Sequence, residues 1–318
     1  MNFQCTQEIS EERTQNIVSR LSRKIGNKFH QLTVSNSQLV AFIVLWGFLT
    51  FVPLVGLFVW SLLATRDFQV FFEPTLSAYL HLFDSGRWEE TIRTLRITGT
   101  VTLVELIVAF PFALWLAKGT QSVVVKTGTL ALLTVPFFLE VTARTIVWRA
   151  ILGLNGIVNT GLIALGIVDE PLRWLLFSGL SVHLGLIGPY FATMAFPIFL
   201  NITMIDDSLL EASSDLGASW GYTLYHVIIP LSMPGIIAGI VFTSVPMLGE
   251  EVIPFLLGGG HVQLLGDSVH RLLSVLNYSL AAAMSVFVLG ILIVLLVILR
   301  LVMPRVGRIG DIFEGLKR

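Results

Sequence analysis

The run QLVAFIVLWGFLTFVPLVGLFVWSLLAT, Gln38 to Thr65, carries no formal charge over 28 residues. A helix needs about 20 apolar residues to cross a hydrocarbon core, so this run is long enough to span. Ala281–Leu299 is a second uncharged run. Solid apolar blocks exclude a membrane β-barrel, whose strands alternate between lipid and lumen. With 54% hydrophobic and only 13% charged residues, the chain reads as an all-α polytopic membrane protein. Its net charge of −1 gives no basis for binding nucleic acid. A single cysteine, Cys5, excludes an internal disulfide and a thiolate metal cluster. The N-terminus is polar to about residue 37, so no cleavable signal peptide is expected and the first span serves as its own insertion signal.

The hydropathy pattern predicts six spans: Leu39–Ala64, Ile97–Ala117, Thr129–Leu152, Leu180–Asn201, Leu231–Leu256 and Ala281–Met303. Together they form a domain over residues 38–303, between a tail at 1–37 and another at 304–318. The apolar stretch Asn155–Gly166 is short and is followed by Asp169, Glu170, Pro171 and Arg173, so it reads as an interfacial helix. Lys and Arg are more numerous in the connections on the N-terminal side (Lys118, Lys126 and the basic tails) than on the other. The positive-inside rule then places both termini in the cytoplasm.

One connection departs from that trend. Residues 204–230, between spans four and five, hold Asp206, Asp207, Glu211 and Asp215 and no Lys or Arg. Asp206–Asp207 suits a helix N-terminus. Leu209, Leu210, Ala212, Ser213 and Leu216 recur at helical spacing. Gly217 can end that helix at positive φ, and Pro230 and Pro234 are expected to interrupt the next one. The expected result is helix, sharp bend, helix along the membrane face.

The same residues resemble the "EAA" signature of permease subunits of type I binding-protein-dependent ABC importers. That signature runs Glu-Ala-Ala, three residues, Gly, nine residues, Ile, one residue, Leu-Pro. Here Glu211-Ala212-Ser213 is followed by Gly217, Val227, Ile229 and Pro230. Ser213, Val227 and Ile229 are modest departures. Phe110-Pro111-Phe112-Ala113-Leu114-Trp115-Leu116-Ala117-Lys118, Val135-Pro136-Phe137 with Arg144, and Gly249-Glu250-Glu251-Val252-Ile253-Pro254-Phe255-Leu256-Leu257-Gly258-Gly259 resemble the polyamine (putrescine/spermidine) branch, which includes opine and other small-amine importers. The likeness covers roughly residues 40–303.

The resemblance implies a six-helix type I permease fold in the inner membrane. It implies a second permease subunit, usually a related chain in a heterodimer, a cytoplasmic ATPase dimer that binds ATP and magnesium, and an external solute-binding protein. Glu211, Ala212, Ser213, Leu216, Gly217 and Pro230 would then form the coupling helix that sits in a cleft of the ATPase. No cofactor and no enzymatic activity are expected of this chain. It has no Gly-Lys dipeptide, hence no phosphate-binding loop of the G-x-x-x-x-G-K-[ST] type. Gly258-Gly259-Gly260 reads as an external loop. The six histidines show no metal-ligand spacing, and His183 reads as an interhelical hydrogen-bonding residue. Trp115, Trp148 and Trp174 read as interface or packing aromatics.

Acidic residues inside the spans are the second informative feature. A charge at the bilayer centre costs at least about 2.5–3.5 kcal/mol on insertion scales, so it should face a cavity or a partner. Glu105 and Glu140 are expected near mid-membrane. Glu140 has Arg144 one turn on, so the two can neutralise each other. Glu105 can pair with Arg144 or Arg149. Glu250 and Glu251 have no evident base and follow Pro246, which is expected to free a carbonyl and break the helix beside them. These carboxylates and Pro246 are the candidate substrate pathway. They outnumber Arg144 and Arg149 within the spans, which points to an importer for a small cationic amine. The alternatives are an importer for an uncharged or anionic solute, an ion-coupled transporter working without an ATPase, and a membrane scaffold.

Overall fold

The computed structural model describes residues 36–66, 69–84 and 87–314. Cys5 and nearly all of the expected N-terminal tail lie outside these. Two compact units divide between Gly56 and Leu57. In the first, every described side chain from Gln38 to Gly56 except Gly47 is exposed. These residues belong to helix α1 (Asn36–Ser61). A helical stretch that is apolar all round and exposes its side chains suits lipid, which hydrates nothing and requires all backbone bonds to close internally.

The second unit begins with the end of α1 and an antiparallel hairpin, β1 (Leu63–Arg66) and β2 (Gln69–Pro74), closed by an Arg66–Glu73 ion pair at 3.3 Å. Then come α2 (Ser77–Asp84), α3 (Arg87–Leu114), α4 (Val123–Phe138), α5 (Val141–Leu152), α6 (Ile157–Ala164) and α7 (Gly179–Thr203). The chain continues through α8 (Asp207–Asp215), α9 (Trp220–Thr223), α10 (Ile229–Leu248), α11 (Val252–Gly258), α12 (Leu265–Ser274) and α13 (Tyr278–Glu314). Six stretches among the described residues are helical, long and apolar enough to cross a membrane.

Helices α3, α7 and α10 build the core. On α3, Thr91, Thr94, Thr98, Val101, Glu105, Ala109 and Ala113 are buried at steps of three or four residues, an inward stripe. It is polar in its first half and closes on Ala109 and Ala113 against Met194, Ala195, Ile198 and Ile236. Helices α7 and α10 meet almost backbone to backbone. A Cβ on Gly239 would lie 2.9 Å from the Met194 carbonyl oxygen, and one on Gly235 would lie 2.7 Å from that of Pro197. Lipid supplies no hydrophobic drive between helices, so small residues that permit close contact hold such pairs together.

The departures from the sequence pattern concern where helices stop and where they run on. The third expected span, Thr129–Leu152, is broken between Phe138 and Val141, where the Glu140 carboxylate accepts from Ala143 N at 3.0 Å and caps a new helix. Helices α5 and α6 together then form the spanning stretch Val141–Ala164, where a separate interfacial helix was expected. The fifth span does not run to Leu256. It ends at Leu248 and restarts at Val252. Pro230 does not interrupt α10, because a π-helical turn, Leu224–Ile228, precedes the helix and Pro230 falls in its first turn, where no N–H is needed; Pro234 lies inside α10, which continues through it. The last helix also carries its backbone to Glu314, through most of the expected C-terminal tail.

The glycine contact is testable. Gly239→Ala should destabilise the detergent-solubilised protein by about 1–3 kcal/mol, since overpacking forces backbones apart. Gly290→Ala, where a Cβ would meet nothing within 4 Å, should leave the thermal unfolding midpoint unchanged or raised.

Candidate functional site

The segment that joins α7 to α10 is built as its residues foretell. The Asp206 carboxylate accepts from Ser208 N at 3.1 Å and caps α8. At the other end Gly217 has φ +75°. Gly217 N donates to Ser214 O at 2.9 Å and Ala218 N to Ser213 O at 3.1 Å. This paired arrangement satisfies the last carbonyls of the helix and turns the chain sharply. Ser219 then caps α9 through Tyr222 N, and the buried hydroxyls of Ser213 and Thr223 meet at 2.8 Å across the bend. The bend is therefore locked from both sides. Pro230 lies beyond it, in α10.

What this segment leaves outward is distinctive. Ala212 and Glu211 are exposed, and Glu211 has no hydrogen-bond or ion-pair partner among the described residues. Leu216 is 88% exposed at the tip of the bend. A groove of about 720 Å³ runs alongside, lined by Leu209, Ala212, Leu216, Tyr222, His226 and Leu231. Tyr222 and His226 stack at 4.0 Å on its wall. An acid, an exposed leucine and an apolar groove thus share one face of the bent segment.

The carboxylates of the spans divide into three situations. Glu140 caps α5 and accepts from Thr142 Oγ1 at 2.8 Å. It makes no ion pair with Arg144, which donates instead to Pro136 O at 3.1 Å. Glu250 is buried and also engaged. Its Oε1 accepts from Val252 N at 3.0 Å and Ile253 N at 3.3 Å, and its Oε2 accepts from the Tyr190 hydroxyl at 2.8 Å. Glu251 is half exposed and lies 3.5 Å from His270 Nδ1, a base that sequence spacing could not reveal. Pro246 lies inside α10 and does not break it. The break falls at Gly249–Glu251, where Gly266 of α12 lets the backbones approach; a Cβ there would lie 2.5 Å from Gly249 O.

Glu105 is the third situation. It is wholly buried, and neither carboxylate oxygen has a hydrogen-bond partner among the described residues. It pairs with neither Arg144 nor Arg149. Arg149 lies over the Phe177 ring at 5.5 Å. Thr102 Oγ1, one turn away on α3, is also buried without a partner, as is Arg144 Nε. Glu105, Arg144 and Glu250 all lie within electrostatic range of the Tyr190 hydroxyl. Four elements thus converge on one polar centre: α3, α5, α7 and the break after α10. Thr193 and Thr243 extend it, their hydroxyls 3.0 Å apart between α7 and α10. A pocket of about 370 Å³ opens beside it, lined by Glu140, Arg144, Pro189, Tyr190 and Thr193 among others. Tyr190, Thr193 and Thr243 carry no sequence motif. Their only signal is polarity on helices that are otherwise apolar. His183 joins Thr100 at 2.9 Å between α7 and α3, the interhelical role its position foretells.

Comparison with known proteins agrees with this geometry. Residues 105–308 match the family of binding-protein-dependent transport system inner membrane components. The spermidine/putrescine transport system permease protein PotB of Haemophilus influenzae is 34% identical over 248 residues, covering 77% of this chain and 83% of that one. PotB of Escherichia coli is 33% identical over 251 residues, covering 78% and 89%. Among solved structures, a chain of a bacterial alginate ABC transporter, in complex with alginate pentasaccharide-bound periplasmic protein, superposes with a TM-score of 0.66. Its identity is 17%, over 88% of this chain and 96% of that one, a likeness of fold alone. With a family match over most of its length, and with six candidate spans and a helix–bend–helix segment where the EAA signature lies, the chain belongs to the inner membrane components of binding-protein-dependent ABC importers.

Proposed function

We propose that this chain forms one half of the translocation pore of an importer that carries a small cationic amine of the polyamine class. The observation that carries the substrate class is Glu105, buried at the centre of the core stripe with both oxygens unpartnered. A carboxylate held that way awaits a cation, or holds a proton until one arrives. The names of the relatives, spermidine/putrescine permeases, support the same class. Glu250 contributes charge from a fixed position, since it is clamped by two backbone amides and Tyr190. Arg144 offsets part of that charge, which keeps the site from trapping its cargo.

Residues 204–230 are the coupling segment in this reading, with Glu211, Ala212, Ser213, Leu216 and Gly217 on its business end. They face the cytoplasm and receive a cytoplasmic ATPase dimer, and both termini lie on that side. A second, related permease subunit completes the pore, and an external solute-binding protein delivers the amine. ATP and magnesium belong to the ATPase. Membership in this family leaves the ion-coupled and scaffold alternatives without an observation in their favour.

Two outcomes follow. Gly217→Val places a β-branched residue at φ +75°, a conformation that side chains of this kind rarely adopt. ATP-driven uptake by the reconstituted complex should fall at least about tenfold while insertion is unchanged, and Glu211→Lys should reduce co-purification of the ATPase. Parental uptake and parental co-purification in both variants would refute the assignment.

The second concerns charge. Glu105→Gln keeps shape and removes the charge. Uptake of radiolabelled putrescine through the complex should drop by about one to two orders of magnitude, as expected for loss of a close ion pair in a site shielded from water. Glu250→Gln should slow uptake less, because the amide oxygen can still accept from Val252 N. Unaltered putrescine uptake in both variants, or preferential uptake of a neutral sugar, would overturn the cationic class.

A further inference from the structure

The coupling segment is joined to the core by covalent continuity at α7 and at α10. A third attachment comes from α3, far away in sequence. The Lys118 ammonium donates to Ile205 O at 2.6 Å and to Asp207 Oδ1 at 2.6 Å, across separations of 87 and 89 residues. Both bonds fall on the joint between α7 and α8. Ile205 is the residue before the helix cap, and Asp207 opens α8. The Lys118 side chain is only 16% exposed, whereas that of Asp207 is 74% exposed. Charge-assisted bonds this short are among the stronger polar contacts a protein makes, more so when one partner is shielded from water.

The local structure is bent to make this contact. Helix α3 changes at Trp115 into a π-helical turn, Trp115–Gly119, which carries Lys118. The wider turn shifts the register of everything after it by part of a turn. The turn is braced: Thr120 N donates to Trp115 O at 3.1 Å, and Lys126 Nζ, from α4, donates to Ala117 O at 2.9 Å. Leu116 and Ala117 are buried in the same apolar cluster as Ile202, Ile205 and Ile228, so the strut rests on packed core on both sides of the joint. Glu105 lies thirteen residues earlier on α3, about 20 Å up the helix at 1.5 Å per residue.

We infer that Lys118 is a positioning residue that ties the coupling segment to the helix bearing Glu105, so that displacement of α8 is delivered to α3 as well as to α7 and α10. This rests on the coupling role proposed above. Without the tie, the segment still docks and hydrolysis still proceeds, but α3 no longer follows, and ATP is consumed without productive exposure of Glu105. The lysine is therefore a determinant of how much uptake each ATP yields. Assembly does not depend on it.

The test uses the whole complex in proteoliposomes, with ATP hydrolysis and radiolabelled putrescine uptake measured on the same samples. Lys118→Gln removes the charge from the strut. Asp207→Asn removes it from the exposed partner, where no folding defect is expected. Uptake per ATP should fall about tenfold in each, the loss expected for one charge-assisted bond, with hydrolysis near parental. Lys118→Arg keeps the charge and should restore most of the ratio. If uptake per ATP is parental in both charge-removing variants while Gly217→Val lowers it, the strut is wrong and the coupling segment stands. If Gly217→Val is parental too, the coupling reading itself fails. Loss of assembly in Lys118→Gln with a parental ratio in Asp207→Asn makes Lys118 a folding residue only and overturns the inference.

Discussion

The contact between α7 and α10 at Gly235 and Gly239 is the one on which the rest depends. The proposed coupling segment connects these two helices, so their backbone-to-backbone packing decides what a push on that segment would do. Loosely packed helices would absorb it by sliding. Helices locked at two glycine contacts must move together, because packed cores shift between discrete arrangements and do not deform continuously. The bend at Gly217 is locked in its own way, by paired backbone bonds and the Ser213–Thr223 hydroxyl contact. Rigid lever and rigid helix pair are one mechanical element.

Within the apolar core, each broken helix must find new partners for its freed backbone groups, since lipid offers none. The protein uses carboxylates for this. Glu140 closes the start of α5, and Glu250 closes the start of α11. An acidic residue inside a span is thus not by itself a substrate group. It is often the cap of a helix that had to stop. Glu105 differs because it lies in mid-helix, where every backbone amide already has its partner, and its charge has no local structural use. That contrast, more than the number of acids in the spans, is why it stands at the centre of the proposed pathway.

The architecture was largely legible in the residues. Apolar runs announce the spans, and Glu211, Gly217 and the spacing between them announce the bend. What escaped had physical reasons. The helix break at Glu140 is invisible to hydropathy, because an acid that caps a helix and an acid that lines a pore look alike in a list of letters. The π-helical turns have no composition of their own, so α10 was expected to break at prolines that it tolerates. Arg144 sits one turn from Glu140 yet reaches for Pro136 O, and helical spacing alone could not foresee that. The Tyr190–Glu250 bond spans 60 residues, and the Lys118 strut spans more. Such contacts belong to the packing of helices, which single-sequence periodicity does not encode.

The central claim is that this chain moves a cationic amine only as part of an ATP-driven assembly. The most direct measurement is accumulation of radiolabelled putrescine in proteoliposomes that hold this chain alone or together with the proposed ATPase, second permease and binding protein, each with and without ATP. The account predicts accumulation in the complete assembly with ATP and in no other sample. Accumulation by this chain alone, or by the assembly without ATP, would contradict it.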